Sequence, residues 1–449
     1  MSKTTVLKKG LDIPVSGDAG LRLSKTVTPD TIAVRPEGFK GFSPRLLVKE
    51  GDRVLCGSPV LADKANPAIL IASPVSGVVK EIVRGEKRKL LAVLIDADEK
   101  QEPALDLGCK KPGELDADQV KEHILASGLW PFIVQRPYGI VADPAAQPKA
   151  IFVSSFNSAP LAADTQFTLG DRTADIQTAV DALAKIAPVH IGLDSEESVF
   201  NKISGAQKHV FKGKHPAGNV GIQIANISPI LKGDIVWTLP LFALAAIGKA
   251  FSKGVYDVRR KVAVAGPAAI EPAYVEMLPG TPLSSLAAFY SGNADGLRII
   301  SGDILTGSIE GPEGYLGNCH DSVCIIKEGT DTELFGWAKP VRWSQFSTDH
   351  SYFSWLTPWR KYDMDTNLHG GPRAFVMNDS YYAKVLPMDI YPLYLLKACL
   401  AGDIEKMEKF GIYEVLPEDF ALCEYIDPSK NYIQEIIAKG IDLMLKEMA

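Results

Sequence analysis

Between Val48 and Ile82 the chain reads VKEGDRVLCGSPVLADKANPAILIASPVSGVVKEI, with apolar residues alternating beside glycine-centred turns at Gly51-Asp52, Gly57 and Ser76-Gly77. Alternation of period two beside such turns predicts short strands folded back on one another in two half-repeats. A polar bridge, EKQEPALDLGCKKPGE, follows, and then LDADQVKEHILASG with a helix signal. From Ala150 the period changes. AIFVSSFN, VHIGL, DIVWTL and KVAVAG are short apolar runs. Between them, TADIQTAVDALAKIA sets Ile176, Val180, Leu183 and Ile186 on one helical face, with Thr173 as the expected cap. Strands alternating with helices predict a parallel, Rossmann-like sheet. It lacks a G-x-G-x-x-G fingerprint, so the sheet alone gives no licence to infer a dinucleotide. From Glu271, LPGTPLSSLAAFYSGNADGLRIISGDILTG sets glycine-punctuated strands around one short helix, as in a small β-grasp unit. Beyond Asp331 an aromatic-rich connector leads to the helical patterns DIEKMEKF and NYIQEIIAKGIDLMLKEM, the last opened by Pro428 and Ser429. The expected units are 1–104, 105–266, 267–330 and 331–449.

Length agrees with several units: 449 residues, at about 150 per domain, suggest three or four. The formal charge of −6 argues against a nucleic-acid partner, which calls for a basic face. Six cysteines are scattered, and the closest pair, Cys319 and Cys324, has neither zinc-knuckle nor disulfide-framework spacing. They read as free thiols in a reducing compartment. MSKTTVLKKGLDIPVSG has charges but no apolar core, so no secretory signal is expected. The longest apolar run, Ile235 to Gly248, has 14 residues interrupted by Pro240, short of the ~20 that span a bilayer. A buried strand, a turn and a helix start are expected there, and a cytoplasmic chain without a membrane anchor.

The Val48–Ile82 outline looks like the biotinyl/lipoyl carrier fold, a flattened barrel-sandwich. In such carriers a modified lysine stands at a tight hairpin tip about eight residues before the proline of the second half. Here Lys64 stands ten residues before Pro74, with Asn66-Pro67 between, and Asp63-Lys64-Ala65 keeps only half of the context a ligase reads. A barrel without a prosthetic group is the expectation.

The order of these segments, with KKGLDIPVSG near the start, HPAGNVGIQI at His215 to Ile224 and GTPLSSL, closely resembles the A subunit of the bacterial Na+-translocating NADH:quinone oxidoreductase over nearly the whole chain. That family is similar in turn to the C subunit of the Rnf complex and to the flavin-binding subunit of respiratory complex I. The resemblance implies a barrel-sandwich domain, a Rossmann-like α/β domain, a β-grasp domain of the SLBB type and a C-terminal helical domain. The electron-input relatives carry FMN and iron–sulfur clusters on C-x2-C-x2-C-x3-C-P motifs. Counting back from Pro387 puts Val376, Asp379, Tyr382 and Leu386 at the four ligand positions. Counting back from Pro428 gives Pro417, Phe420, Cys423 and Asp427, so one thiol stands at eight positions. A lone thiol cannot hold a cluster that wants four soft ligands. The relatives' glycine-rich flavin loop corresponds here to GLWPFIVQRPYG, Gly128 to Gly139, where a tryptophan and two prolines replace the glycines that let amides cradle a phosphate.

The resemblance therefore implies a peripheral subunit on the cytoplasmic side of the inner membrane. It would dock chiefly on the membrane-embedded B subunit and help bind ubiquinone or menaquinone, with no catalytic residue, metal or redox cofactor of its own. The parent complex oxidises NADH, reduces quinone and transports Na+ as part of a respiratory chain. The alternative is a flavin and iron–sulfur electron-input subunit like the Rnf relative. For quinone contacts the segment offers Trp130 and Phe132 as aromatic faces and Arg136 and Tyr138 as donors, joined by Phe39 and Phe42 of RPEGFKGF. The competing reading is that these aromatics pack the junction between the barrel and the α/β unit. His215 in GKHPAGNVG and His369 in NLHGGPR lack metal-ligand spacing, and their glycines suggest tight turns or amide anion sites. RGEKRK, Arg84 to Lys89, reads as a solvated hairpin tip or a loop facing lipid headgroups.

Overall fold

The computed structural model describes residues 3–448 except 103–106, 291, 332, 334, 337–338, 340–341, 349, 351, 365 and 368–378. Val376, His369 and the 104/105 boundary lie outside the described residues. Two small antiparallel sheets form the barrel-sandwich. One runs Thr31–Val34, Leu90–Ala97, Gly77–Arg84 and Arg53–Val54, and the other Pro44–Leu46, Pro59–Asp63 and Leu70–Ala72. Their inward residues, among them Ile32, Val60, Leu61, Val79, Val93 and Ile95, are buried as the period-two pattern requires. Lys64 is exposed on the loop between Pro59–Asp63 and Leu70–Ala72. That loop is tied down: Lys64 N donates to Ser43 O at 2.8 Å, and the Asp63 carboxylate accepts from the amides of Ser43 and Asn66.

The α/β unit is a seven-stranded sheet. Ala150–Ser154, Val189–Leu193 and Gln207–Lys212 run parallel in spatial sequence, and the chain then returns to lay Val236–Thr238 on the other flank of Ala150–Ser154. Val134–Arg136 closes that side in the antiparallel sense. The helices Thr173–Leu183 and Leu241–Lys253 pack so closely that a Cβ on Gly248 would lie 1.7 Å from Asp175 O. Ile235 to Gly248 is, as expected, a strand, a turn and a helix start, nearly all buried.

Four expectations need correction. Lys3–Val6 leaves the 1–104 unit to pair with Gln207–Lys212 in the α/β sheet, and Gly20–Thr26 leaves it to pair with Ala273–Met277. Arg260–Ala265, from KVAVAG, is not a Rossmann strand. It lies antiparallel to Ala273–Met277 and parallel to Ser322–Lys327, in a six-stranded sheet that reaches past the 266/267 boundary. An apolar run bounded by turns fits any buried strand, and pairing alone decides its sheet. Thr173 is the first helical residue rather than the cap, because a 3-10 turn at Gly170–Arg172 leads into the helix without a break. The last helix spans Ile433–Met448, later than Pro428, because the Asp427 carboxylate holds the Asn431 amide and side chain in a turn. The short helix in GTPLSSLAAFY is a 3-10 helix, Leu283–Tyr290.

Candidate functional site

The six candidate residues separate into three settings. Trp130 and Phe132 form a single 3-10 turn, Trp130–Phe132, and are buried. Trp130 packs edge-on against Trp237 at 5.5 Å, and its Nε1 donates to Ala142 O at 2.8 Å. Phe132 stands at the centre of a T-shaped chain, 5.3 Å from Phe39 and 5.7 Å from Phe242. The edges and faces of these rings are taken up by one another, in the geometry that aromatic quadrupoles favour. Gly128, at φ +73, brings the segment against the barrel, where a Cβ would meet the Ala72 Cβ at 2.8 Å.

Arg136 is 2% exposed, and it points away from that aromatic group. Its Nη2 meets Glu418 Oε1 at 2.8 Å and its Nη1 meets Asp419 Oδ2 at 3.3 Å, bolting the α/β sheet to the C-terminal helices. Tyr138, partly buried, packs against Tyr413 at 6.2 Å on the same helices. Burial first, offset by the bond to Tyr413, raises its hydroxyl above the usual range. The structure thus brings Trp130, Phe132 and Phe39 together and leaves Arg136 and Tyr138 on another interface. Phe242, Trp237 and Asp419 complete these groups. Nothing in their local sequence marks them, since each is brought in by a distant element.

Phe39 and Phe42 border an open cleft of about 630 Å3, within the range usual for small-molecule sites. One wall is the stretch Arg35–Phe42. The second is the barrel hairpin, through Val83, Leu91 and Leu94, and the third is the Glu310–Tyr315 loop of the six-stranded unit. Arg35 Nη1 bonds Glu310 Oε1 at 3.0 Å, and Asn318 Nδ2 donates to the carbonyls of Arg35 and Glu37, so the turn is pinned to both units. Gly38 and Gly41, with φ +92 and +85, supply the turn's left-handed positions. The cleft offers apolar faces from Phe39, Phe42, Leu91 and Leu94, and donors from Lys40, Lys89 and Tyr315.

A second cavity, of about 360 Å3, lies at the carboxyl ends of Ala150–Ser154 and Val236–Thr238. This is the point where strand order reverses, the usual ligand crevice of an open α/β sheet. His215 lies on its wall, neutral because burial pulls it down to about 4, and its Nδ1 is 3.0 Å from Ser158 Oγ. The glycines of KHPAGNVG serve close approach: a Cβ on Gly218 would lie 2.6 Å from Ser158 N, and one on Gly221 would lie 2.5 Å from both Asp419 oxygens. The Gly218 amide is already given to Ser158 Oγ at 2.8 Å.

At the cluster-motif positions, Tyr382 and Cys423 face each other across the packed helices Asp379–Val385 and Ala421–Ile426. Tyr382 OH donates to the buried Asp427 at 3.1 Å, and Asp427 also accepts from Asn431 at 2.8 Å. Burial, with Asp379 and Asp427 nearby, pushes the Cys423 thiol well above its normal range, so it stays protonated. Among the described residues, no group of three His, Cys, Asp or Glu side chains is arranged to hold a metal ion. Cys423→Ser is expected to leave the activity of the assembled complex within about twofold and to cost about 1–2 kcal/mol of stability, from burying a hydroxyl in the thiol's place. Turnover and denaturation measured on one preparation check both halves.

The chain is thus a multidomain α/β protein of a barrel-sandwich hybrid, an α/β unit and a C-terminal SLBB-type unit. Family models match in that order: the NqrA N-terminal barrel-sandwich hybrid domain over 5–98, the NqrA second alpha/beta domain over 115–256 and the NQRA C-terminal domain over 261–310. The A subunit of the Na(+)-translocating NADH-quinone reductase from Yersinia pestis bv. Antiqua (strain Angola) is 34% identical over 429 residues, covering 94% of this chain and 95% of that one. The protein of the same name from Rhodopirellula baltica is 32% identical over 450 residues, covering 99% and 98%. The chain belongs to this family, the A subunits of the Na(+)-translocating NADH-quinone reductase. No helix among the described residues is long and apolar enough to cross a membrane.

Proposed function

We propose that this chain serves the Na+-translocating NADH:quinone reductase as a peripheral subunit on the cytoplasmic side, docked on the membrane-embedded B subunit, and that it binds ubiquinone or menaquinone in the cleft beside Arg35–Phe42. The complex oxidises NADH, reduces the quinone and exports Na+. This chain contributes substrate binding and assembly and has no redox centre. The cleft carries the reading: it pairs aromatic and aliphatic walls, suited to a ring and prenyl tail, with Lys40, Lys89 and Tyr315 as donors for the carbonyl oxygens. Phe39 and Phe42 are then direct contacts, while Phe132 backs Phe39 from the core and Trp130 packs on Trp237. The buried Tyr382–Asp427–Asn431 network at the cluster positions supports the cofactor-free reading. The β-grasp and helical identities of 267–330 and 331–449 belong to the same proposal.

Photolabelling of the assembled complex with an azido-quinone, followed by peptide mapping, tests it. Label is expected within Arg35–Phe42 and Val83–Leu94, and excess native quinone should suppress it. Label that ignores native quinone, or that falls wholly elsewhere, rejects the cleft.

A further inference from the structure

Arg260 is 5% exposed and stacks its guanidinium on the Phe242 ring, 4.0 Å from the centroid, in the wall of the switch-point cavity. Nη2 donates to Asn318 O at 2.6 Å, but Nε and Nη1 have no partner, and among the described residues no carboxylate forms an ion pair with it. Asp321 attracts the guanidinium without an ion-pair contact, so two buried N–H donors stay unanswered and the environment is incomplete as it stands. The other charged groups of the cavity are accounted for. Lys261 pairs with Asp171 at 3.0 Å and Glu418 with Arg136 at 2.8 Å. Asp303 accepts from the Leu305 amide and from the amide and hydroxyl of Thr306. The exception is Asp321, a half-buried residue whose carboxyl accepts from its own backbone N–H and is attracted by Arg260 without contacting it, while burial, the larger effect, pushes it up to about 6. Arg260 therefore holds unanswered donors, and Asp321 an acceptor open to a ligand, on the same cavity.

We propose that this cavity binds a small carboxylic acid bearing a neighbouring hydroxyl or amino group, its carboxylate on Arg260 and its donor on Asp321. The guanidinium fork matches a carboxylate with two parallel bonds. A phosphate fits less well, because it presents charged oxygens to Asp321 where a hydroxyl or ammonium presents a donor. The apolar wall of Phe156, Leu239 and Phe242 limits the rest of the ligand to a short chain or small ring. This site is separate from the quinone cleft and does not depend on it.

Calorimetric titration of the full chain with L-malate, L-glutamate, succinate and inorganic phosphate, all to millimolar concentrations, decides the matter. L-malate or L-glutamate should bind at least tenfold more tightly than succinate or phosphate. Arg260→Met keeps the stacking on Phe242 and removes the charge. It should weaken binding at least tenfold while the ligand-free chain melts at the same or a higher temperature, because an unpaired buried cation has gone. Asp321→Asn, at a partly exposed residue, gives an independent reading: the advantage of L-malate over succinate should collapse. Failure of both L-malate and L-glutamate to bind the unmodified chain overturns the site, as does equal binding of succinate. Unchanged affinity in both variants does the same. An Arg260→Met chain that melts lower would mark the guanidinium as a structural cation and overturn its role.

Discussion

Arg136→Ala is expected to destabilise the chain by about 3–5 kcal/mol. The arginine is buried in Val134–Arg136, and its removal leaves Asp419, which is 2% exposed, as a charge with no cation. Among the described residues, Asp419 Oδ1 has no partner and its Oδ2 accepts only the Leu416 amide besides Arg136. The Val220–Ile227 helix abuts the same carboxylate at Gly221, so the ion cannot withdraw to solvent without displacing a helix. Glu418 contributes less, because its side chain is 39% exposed and water screens the pair. Denaturant unfolding followed by tryptophan fluorescence should show the first transition moved strongly to lower denaturant. Arg136→Ala combined with Asp419→Ala should recover part of the loss, since the double variant leaves only the half-exposed Glu418 without its cation. A single variant with an unchanged midpoint would mean that this link does not hold the C-terminal helices to the sheet.

Trp130→Ala should cost about 3–5 kcal/mol, the range for emptying a buried aromatic site. The indole fills the junction of barrel and α/β sheet, edge-on to Trp237, and its N–H satisfies the Ala142 carbonyl. The cavity left behind cannot close readily, because the barrel and the sheet are each internally bonded. The same variant separates a packing role from a ligand role. If Trp130 is core, quinone photolabelling per folded complex stays close to normal while stability falls. Loss of labelling at unchanged stability would instead put the indole in the quinone site.

The contrast between these residues and the cleft shows what local sequence can carry. GLWPFIVQRPYG displays aromatic faces and donors close together, and sequence proximity suggests one site. In the fold, Gly128 and Gly139 each take positive φ and press against the barrel and Leu416 respectively, so the segment runs between two interfaces. Trp130 and Phe132 turn to the first, and Arg136 and Tyr138 to the second. RPEGFKGF behaved differently, because its two left-handed glycines make a turn at the surface and leave Phe39 and Phe42 beside open space.

By itself the sequence determined the local periods: short alternating strands at Val48–Ile82, buried strands and amphipathic helices after Ala150, and a helical end. Hydrophobic spacing is a property of neighbours along the chain, so it survives without tertiary information. It also determined that seven of the eight cluster positions lack a thiol, which is a matter of identity alone. Only the tertiary structure decided that Lys3–Val6 completes the α/β sheet, that Arg260–Ala265 serves the six-stranded one, and that Arg136 answers an aspartate 283 positions away. It also decided that Arg260 and Asp321 share a cavity. Strand partners, ion pairs and cavities are set by which distant surfaces meet, and a buried charge declares its partner only once the surfaces around it have closed.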